Sequence, residues 1–361
     1  MYQKPSSKKW RKSLKTIQKF KWWLLGLLGF VLISVGLFYP LPYYMEAPGG
    51  AYDVASVLSV NDQQAPKKGS YHFVAVSVTR ATPAMLLYAW ATPFTEISSA
   101  EETTGGSSDA DFIRINQFYM ETSQNTAVYQ ALKLAGKKTD FQFKGVYVLD
   151  VTKKSSFKGI LNIADTVTAV NDKQFASSKE LIAYVSSMSL GSKVKVTYTS
   201  AGKEKSATGK IIKLSNGKNG IGIGLVDHTE IVTDENIKFS TQGVGGPSAG
   251  LMFTLDIYDQ LIDEDLLKGR TVAGTGTISE DGNVGDVGGV RLKVAAADKI
   301  GASIFFVPNN PVDKAAKKAD PDAITNYAEA KKAAKQLGSK MTIVPVKNVQ
   351  EAIDYLKNHS S

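Results

Sequence analysis

From Trp22 to Tyr39 the chain runs for eighteen residues without a charge, WWLLGLLGFVLISVGLFY. A helix rises about 1.5 Å per residue, so this stretch covers most of a hydrocarbon core about 30 Å thick. Pro40 and Pro42 end it. Trp22 and Trp23 at one end, and Tyr39, Tyr43 and Tyr44 at the other, stand where interfacial aromatic belts belong. A cleaved signal peptide is the alternative reading. Against it, the apolar run exceeds a typical h-region, and no A-x-A-like site comes before the bulky YPLPYYM. Residues 1–21 carry eight Lys or Arg and no acid. Held inside by that charge, the chain is expected to be a single-pass cell-membrane protein with its N-terminus cytoplasmic and everything after residue 42 extracytoplasmic. ATP is not expected to be at hand there.

The same basic tail accounts for most of the formal charge of +9. With the remainder close to neutral, a nucleic-acid partner is not expected. The 361 residues suggest two or three folded units. The chain has no cysteine, which excludes disulfide scaffolds, thiol nucleophiles and cysteine metal sites. It has three histidines, His72, His228 and His359.

Residues 41–125 contain strand-like patches such as SYHFVAVSV (70–78) and a polar, acidic stretch, SSAEETTGGSSDAD, expected as an exposed loop. NTAVYQALKLAG (125–136) has helical spacing and a closing glycine. There follow a strand GVYVLDV, a turn, IADTVTAVNDKQF, a helix SSKELIAYVSSM and a strand SKVKVTYTS. The run SSFKGILNIADTVTAVNDKQF resembles the part of bacterial PDZ domains that places a short helix before a "GD-I-x-x-V-N-G" strand and turn. The resemblance implies a PDZ domain over 126–219 that adds a peptide to a sheet edge. A structural α+β unit without a ligand is the plainer alternative. Ala164 stands where the family has glycine, and no carboxylate-binding loop is evident.

The chemistry lies in the last third. GVGGPSAGLMFTLDIYDQLI (243–262) is a glycine-rich turn leading into a helix that begins at Ser248 or its neighbour. A serine there is either an N-cap or a nucleophile lying beside unpaired N–H groups and the positive end of the helix dipole. Gly246-Pro247-Ser248-Ala249-Gly250 also fits the G-x-S-x-G elbow of α/β-hydrolases, which could make the chain a lipase or esterase. That fold needs a histidine after the serine, and the one available, His359, lies two residues from the end of the sequence. Another base is required. In GVRLKVAAADKIG (289–301), read as a helix, Lys293 shares a face with Val290, Ala296, Ala297 and Ile300. Such a lysine either snorkels to water or loses its proton, and burial lowers its pKa toward what a general base needs.

GPSAGLMF, AGTGTIS and VGDVGGVRLKVAAADKIGA resemble, in order and spacing, the proteolytic domain of Lon peptidases over about 220–358. By that resemblance Ser248 is the nucleophile and Lys293 the general base. Thr275 matches a threonine near the dyad, and N–H groups from Gly246 to Ala249 are the expected oxyanion donors. Lon peptidases often carry an acid three positions before the serine, where this chain has Gly245. No G-x-x-x-x-G-K-[ST] occurs, since the Gly-Lys pairs at 136, 202, 209 and 217 are followed by Lys, Glu, Ile and Asn.

The expected fold class is α+β. The layout is a basic tail (1–21), a transmembrane helix (22–40), a small β-rich region (41–125), a PDZ domain (126–219) and a Lon-type α+β proteolytic domain (220–358). It resembles the PDZ-containing, membrane-anchored Lon-like serine proteases of Gram-positive bacteria, some of which trim secreted signalling peptides. The resemblance implies an ATP-independent endopeptidase that needs no cofactor or metal and acts on exported peptides or unfolded segments. Ring-like self-association is a further implication. An inactive membrane-tethered PDZ scaffold is the reading that Gly245 favours.

Overall fold

The computed structural model describes residues 7–62, 68–241 and 243–359. The chain divides into two compact units, Met1–Ala47 with Ser77–Gly106, and Pro48–Val76 with Ser107–Ser361.

In the first unit the apolar run folds as expected, inside helix α1 (Ser7–Phe38). Its Phe20–Phe38 segment is long and apolar enough to cross a membrane, and lies near the N-terminus, where a signal sequence passes the same test. The chain continues through strands β1 (Tyr43–Asp53) and β2 (Ser70–Arg80), of which Pro48–Asp53 and Ser70–Val76 belong to the second unit, and through helix α2 (Pro83–Ala91) and strand β3 (Glu96–Ser99). Within the first unit Tyr43–Glu46 of β1 pair antiparallel with β3. The acidic stretch expected as a loop is largely helical. Ser99 and Glu102 form a reciprocal capping box that starts a short helix, Ala100–Thr104. In the second unit Ser108 accepts the Asp111 N–H and starts α3 (Asp109–Leu134). Two S-x-x-[DE] capping signals outweigh the polar composition here. The helix expected over 125–136 is the last part of α3.

The second unit holds a five-stranded antiparallel sheet. Its elements are β4 (Thr139–Val151), β5 (Thr166–Val170), helix α4 (Ser178–Ser187), β6 (Lys193–Ser200), β7 (Lys203–Lys210) and β8 (Ile223–Thr233). The strand order is β8-β4-β5-β6-β7. Val146, Val148, Val167, Val170, Val194 and Val196 line its core, and Leu181 and Val185 of α4 cover them. β8 lies beyond residue 219, in the stretch that the sequence groups with the proteolytic region. It nevertheless pairs with β4 from Ile223↔Val151 to Thr233↔Thr139. Ile223 and Leu225 pack against the valine core, which holds the strand to this sheet.

The main elements after β8 alternate helix and strand: α5 (Gly250–Leu261), β9 (Thr271–Gly274), α6 (Val290–Lys299), β10 (Ile304–Pro308), α7 (Asn326–Leu337), β11 (Thr342–Val346) and α8 (Val349–Asn358). Alternation of this kind builds a parallel sheet, and β9 is parallel to both β10 and β2, with β11 parallel to β10. Leu251, Met252, Phe253, Leu255 and Ile257 of α5 are fully buried with Val272 and Phe306 of the sheet and Leu356 of α8. Burying each such side chain stabilises the fold by about 1.5–3 kcal/mol. That packing fixes the C-terminal end of the segment carrying Ser248.

Ala164, which precedes Asp165 where the PDZ pattern has glycine, adopts φ 78°. This left-handed conformation crowds the alanine Cβ. Ala164→Gly is expected to stabilise the protein by about 0.5–1 kcal/mol, read as a higher urea midpoint at unchanged slope.

Candidate active site

The Ser248 segment is a turn held at both ends. α5 begins at Gly250 with Ala249 as its N-cap residue, and no side chain makes the cap hydrogen bond. Ser248 therefore caps nothing, and its half-buried hydroxyl has no hydrogen-bond partner among the described residues. The Ser248 carbonyl accepts the Gly276 N–H at 2.9 Å, and Leu251 N–H donates to Gly276 O at 3.1 Å. These bonds stitch the turn to the chain leaving β9.

Lys293 lies on α6, which starts at Gly289 in the left-handed region, φ 66°. A Cβ there would lie 2.7 Å from Val76 Cγ2, so both the conformation and the close approach require glycine. Lys293 shares the inner face of α6 with Val290, Ala296 and Ala297, as the sequence suggests, and only 5 % of it is exposed; Ile300, expected on the same face, caps the end of the helix and is exposed. Lys293 does not snorkel. Its Nζ donates to Thr275 Oγ1 at 3.2 Å, and Thr275, fully buried, donates its own hydroxyl to the Ser248 carbonyl at 3.2 Å. Burial pushes the Lys293 amine down to about 8, with the Glu329 carboxylate acting in the opposite direction. Ser248, Thr275 and Lys293, drawn from three elements, thus meet at one point. No hydrogen bond joins Ser248 Oγ directly to Lys293 Nζ, and Thr275 bridges the two residues.

The three histidines are engaged elsewhere. His72 bonds to Ser70 Oγ, His228 stacks on Tyr147 and bonds to Thr166, and His359 stacks on Tyr355. Among the described residues no cluster of His, Cys, Asp or Glu could hold a metal ion.

One contributor left no mark in the sequence. Helix α3 lies against the Ser248 turn: Gly246 N–H donates to Asn116 O at 2.8 Å, and the buried Ser123 hydroxyl donates to Pro247 O at 2.9 Å. The first bond engages Gly246 N–H, so Gly246 does not offer it to an oxyanion in this structure. Ser248 and Ala249 N–H have no acceptor among the described residues, and they remain as candidate donors. The contact also accounts for Gly245. A Cβ at 245 would lie 2.7 Å from Asn116 Cβ and 3.1 Å from its carbonyl carbon, leaving no room for a carboxylate side chain.

A second candidate site lies on the antiparallel sheet. β8 is an outer strand, led in by Gly220-Ile221-Gly222-Ile223-Gly224. Helix α4 flanks it: Ser178 at its start hydrogen-bonds Asp227, whose carboxyl is raised by burial, and Met188 O just past its end accepts from Asn219. Strand and helix thus run antiparallel, and a cavity of about 540 Å³ opens beside the helix, lined by Lys179, Ile182, Ser186, Lys213 and Lys218. A larger cavity, about 850 Å³, is lined by Glu121, Lys144, His228, Glu230 and Phe239, and none of Ser248, Thr275 or Lys293 borders it.

Comparison with known proteins finds two family models in the chain, and the first ends before β8. Residues 117–211 match the PDZ domain model, and residues 240–357 match the model of the Lon protease (S16) C-terminal proteolytic domain. The chain therefore carries a PDZ domain and a Lon-type proteolytic domain. A 64-residue stretch is 41% identical to the mitochondrial Lon protease homolog of Caenorhabditis elegans, covering 18% of this chain and 6% of that protein. The chain thus matches only a small part of that relative's length. Among solved structures, the PDZ domain of an SdrC-like protein from Listeria monocytogenes is similar, with 34% identity, 24% of this chain, 90% of that one and a TM-score of 0.23. Its counterpart from Listeria innocua gives 36%, 23%, 93% and 0.22.

Gly245→Ala is expected to force α3 and the Ser248 turn apart, lowering stability by about 1–3 kcal/mol. Calorimetry on the variant should show the loss, and an unchanged melting temperature would count against the tight Asn116 contact.

Proposed function

We propose that this chain is a membrane-anchored serine endopeptidase that works without ATP and uses Lys293 as the general base for Ser248. The observation that carries the reading is the buried lysine. An ammonium stripped of water and facing a neutral hydroxyl is costly, so burial brings the amine down to about 8 and a substantial minority of it is neutral near physiological pH. Thr275 orients that amine. Its single hydroxyl proton goes to Ser248 O, so its oxygen accepts from Lys293, and the amine lone pair stays free to turn toward Ser248 Oγ.

Lys293 takes the Ser248 proton as Oγ attacks the substrate carbonyl carbon. The tetrahedral oxyanion points to the N–H groups of Ser248 and Ala249 at the start of α5, where the helix dipole is positive. Collapse breaks the C–N bond, and the proton on Lys293 passes to the leaving amine. Water then enters and gives a proton to the neutral lysine as it attacks the acyl carbon; collapse breaks the C–Oγ bond, Lys293 returns that proton to Ser248 Oγ, and the acid product leaves as its carboxylate, releasing a proton to solvent.

The PDZ domain presents the substrate. An extended segment would add to the outer edge of β8 and lie along α4, with Lys213 and Lys218 near an approaching chain-end carboxylate. The 361 residues contain no phosphate-binding G-x-x-x-x-G-K-[ST] motif. Short, flexible or already unfolded exported chains are therefore the expected substrates.

Because neutral Lys293 is the active form, kcat/KM for an unstructured peptide should rise about tenfold per pH unit below about 8 and level off above it. Ser248→Ala and Lys293→Ala should each lower it by at least about 1000-fold, measured by mass spectrometry of the products without added ATP. Equal cleavage by either variant would remove the dyad. An inactive parent that still binds peptide would leave the scaffold reading.

A further inference from the structure

In the first unit, α2 reads Pro-Ala-Met-Leu-Leu-Tyr-Ala-Trp-Ala, nine residues with no charge and an apolar residue on every side. A helix of that composition in a water-soluble domain belongs in the core. None of its residues is buried, and Leu87, Tyr88 and Trp90 are 72%, 55% and 90% exposed. Water is a poor solvent for so contiguous a surface.

The placement of α2 names the occupant. Ala81, just ahead of the helix, accepts the Leu41 N–H and donates to Tyr43 O, which ties the start of α2 to the segment leaving α1. The two helices also pack against each other. Around this junction Phe38, Tyr39 and Tyr43 are exposed. Arg80 marks a polar level: its guanidinium lies 5.3 Å from the Tyr44 ring centroid and bonds to the Tyr44 hydroxyl. The helix ends are closed by side chains. Thr82 Oγ1 accepts the Met85 N–H, and Thr95 Oγ1 lies 2.6 Å from Thr92 O and 3.1 Å from Ala89 O. Backbone groups satisfied from within are what a low-water surrounding demands. Exposed Trp and Tyr beside a membrane-spanning helix fit the headgroup level.

We propose that α2 is inserted in the outer interface of the lipid bilayer, alongside the end of α1, with Leu87, Tyr88 and Trp90 at the boundary of headgroups and acyl chains. The proposal rests on the reading of α1 as a membrane span. It gives the chain a second attachment to the bilayer, which fixes the rotation of β1 and β3 at the membrane surface where a single helix would leave it free.

The test uses the full chain in lipid nanodiscs as two single-tryptophan forms. One keeps Trp90, with Trp10, Trp22 and Trp23 changed to Phe. The other keeps Trp23 in α1, with Trp10, Trp22 and Trp90 changed to Phe. Lipid brominated near the headgroup end of its acyl chains should remove most of the Trp90 emission and quench it more than lipid brominated near the methyl end, while aqueous acrylamide has little effect. Trp23 quenched by bromolipid while Trp90 stays bright in it and open to acrylamide would overturn the placement of α2 alone. Trp90 shielded from both quenchers would mean a protein cover such as a second copy, and would also overturn it. If bromolipid affects neither tryptophan, the span assignment of α1 fails and the proposal fails with it.

Discussion

A lysine amine buried against a threonine hydroxyl is the contact on which the candidate chemistry depends. A buried ammonium is expensive, and α6 keeps Lys293 among Val290, Ala296 and Ala297, where burial lowers the cost of giving up its proton. Thr275 Oγ1 then gives that amine its partner and ties it to the backbone of Ser248. Each piece of surrounding structure serves this arrangement. The core under α5 fixes the start of the serine helix, the β9 strand delivers Thr275, and the left-handed Gly289 lets α6 begin against Val76.

Helix α3 connects the two candidate sites of the second unit. Along one face it bonds to the Ser248 turn through Asn116 and Ser123, and it bonds to β8 through Thr122 to Asp227 O and Asn125 to Thr229 O. The outer strand of the PDZ sheet and the turn carrying the proposed nucleophile are thus held by one rigid element. A peptide added to β8 would touch a strand whose carbonyls already position α3.

Ser248 and Lys293 stood out as candidates in the sequence through local patterns, a glycine-rich turn before an apolar helix and a lysine at core spacing on another, whereas Thr275 was pointed to only by the resemblance to Lon peptidases. Their meeting around one buried hydroxyl was not legible, since it depends on the packing of three elements. Asn116 left no signal at all. It acts through a backbone carbonyl, more than a hundred residues ahead of the turn it engages, and it sits in a helix whose start lies next to a stretch that looks like a polar loop. β8 was hidden for a related reason. It follows the last strand expected of its domain after a glycine-rich lead-in, and long-range pairing with β4, not local composition, assigns it to the sheet. The polar stretch before α3 shows the converse, because two capping pairs within it decide the local structure against its overall composition.

The most direct measurement is the titration of Lys293 itself, by NMR of protein labelled with carbon-13 at the lysine ε-methylene and assigned by the signal missing in Lys293→Met. The account predicts a midpoint of about 8, moving when Thr275 is replaced by Val. A midpoint near the ordinary lysine value of 10.5, unaffected by Thr275→Val, would contradict it.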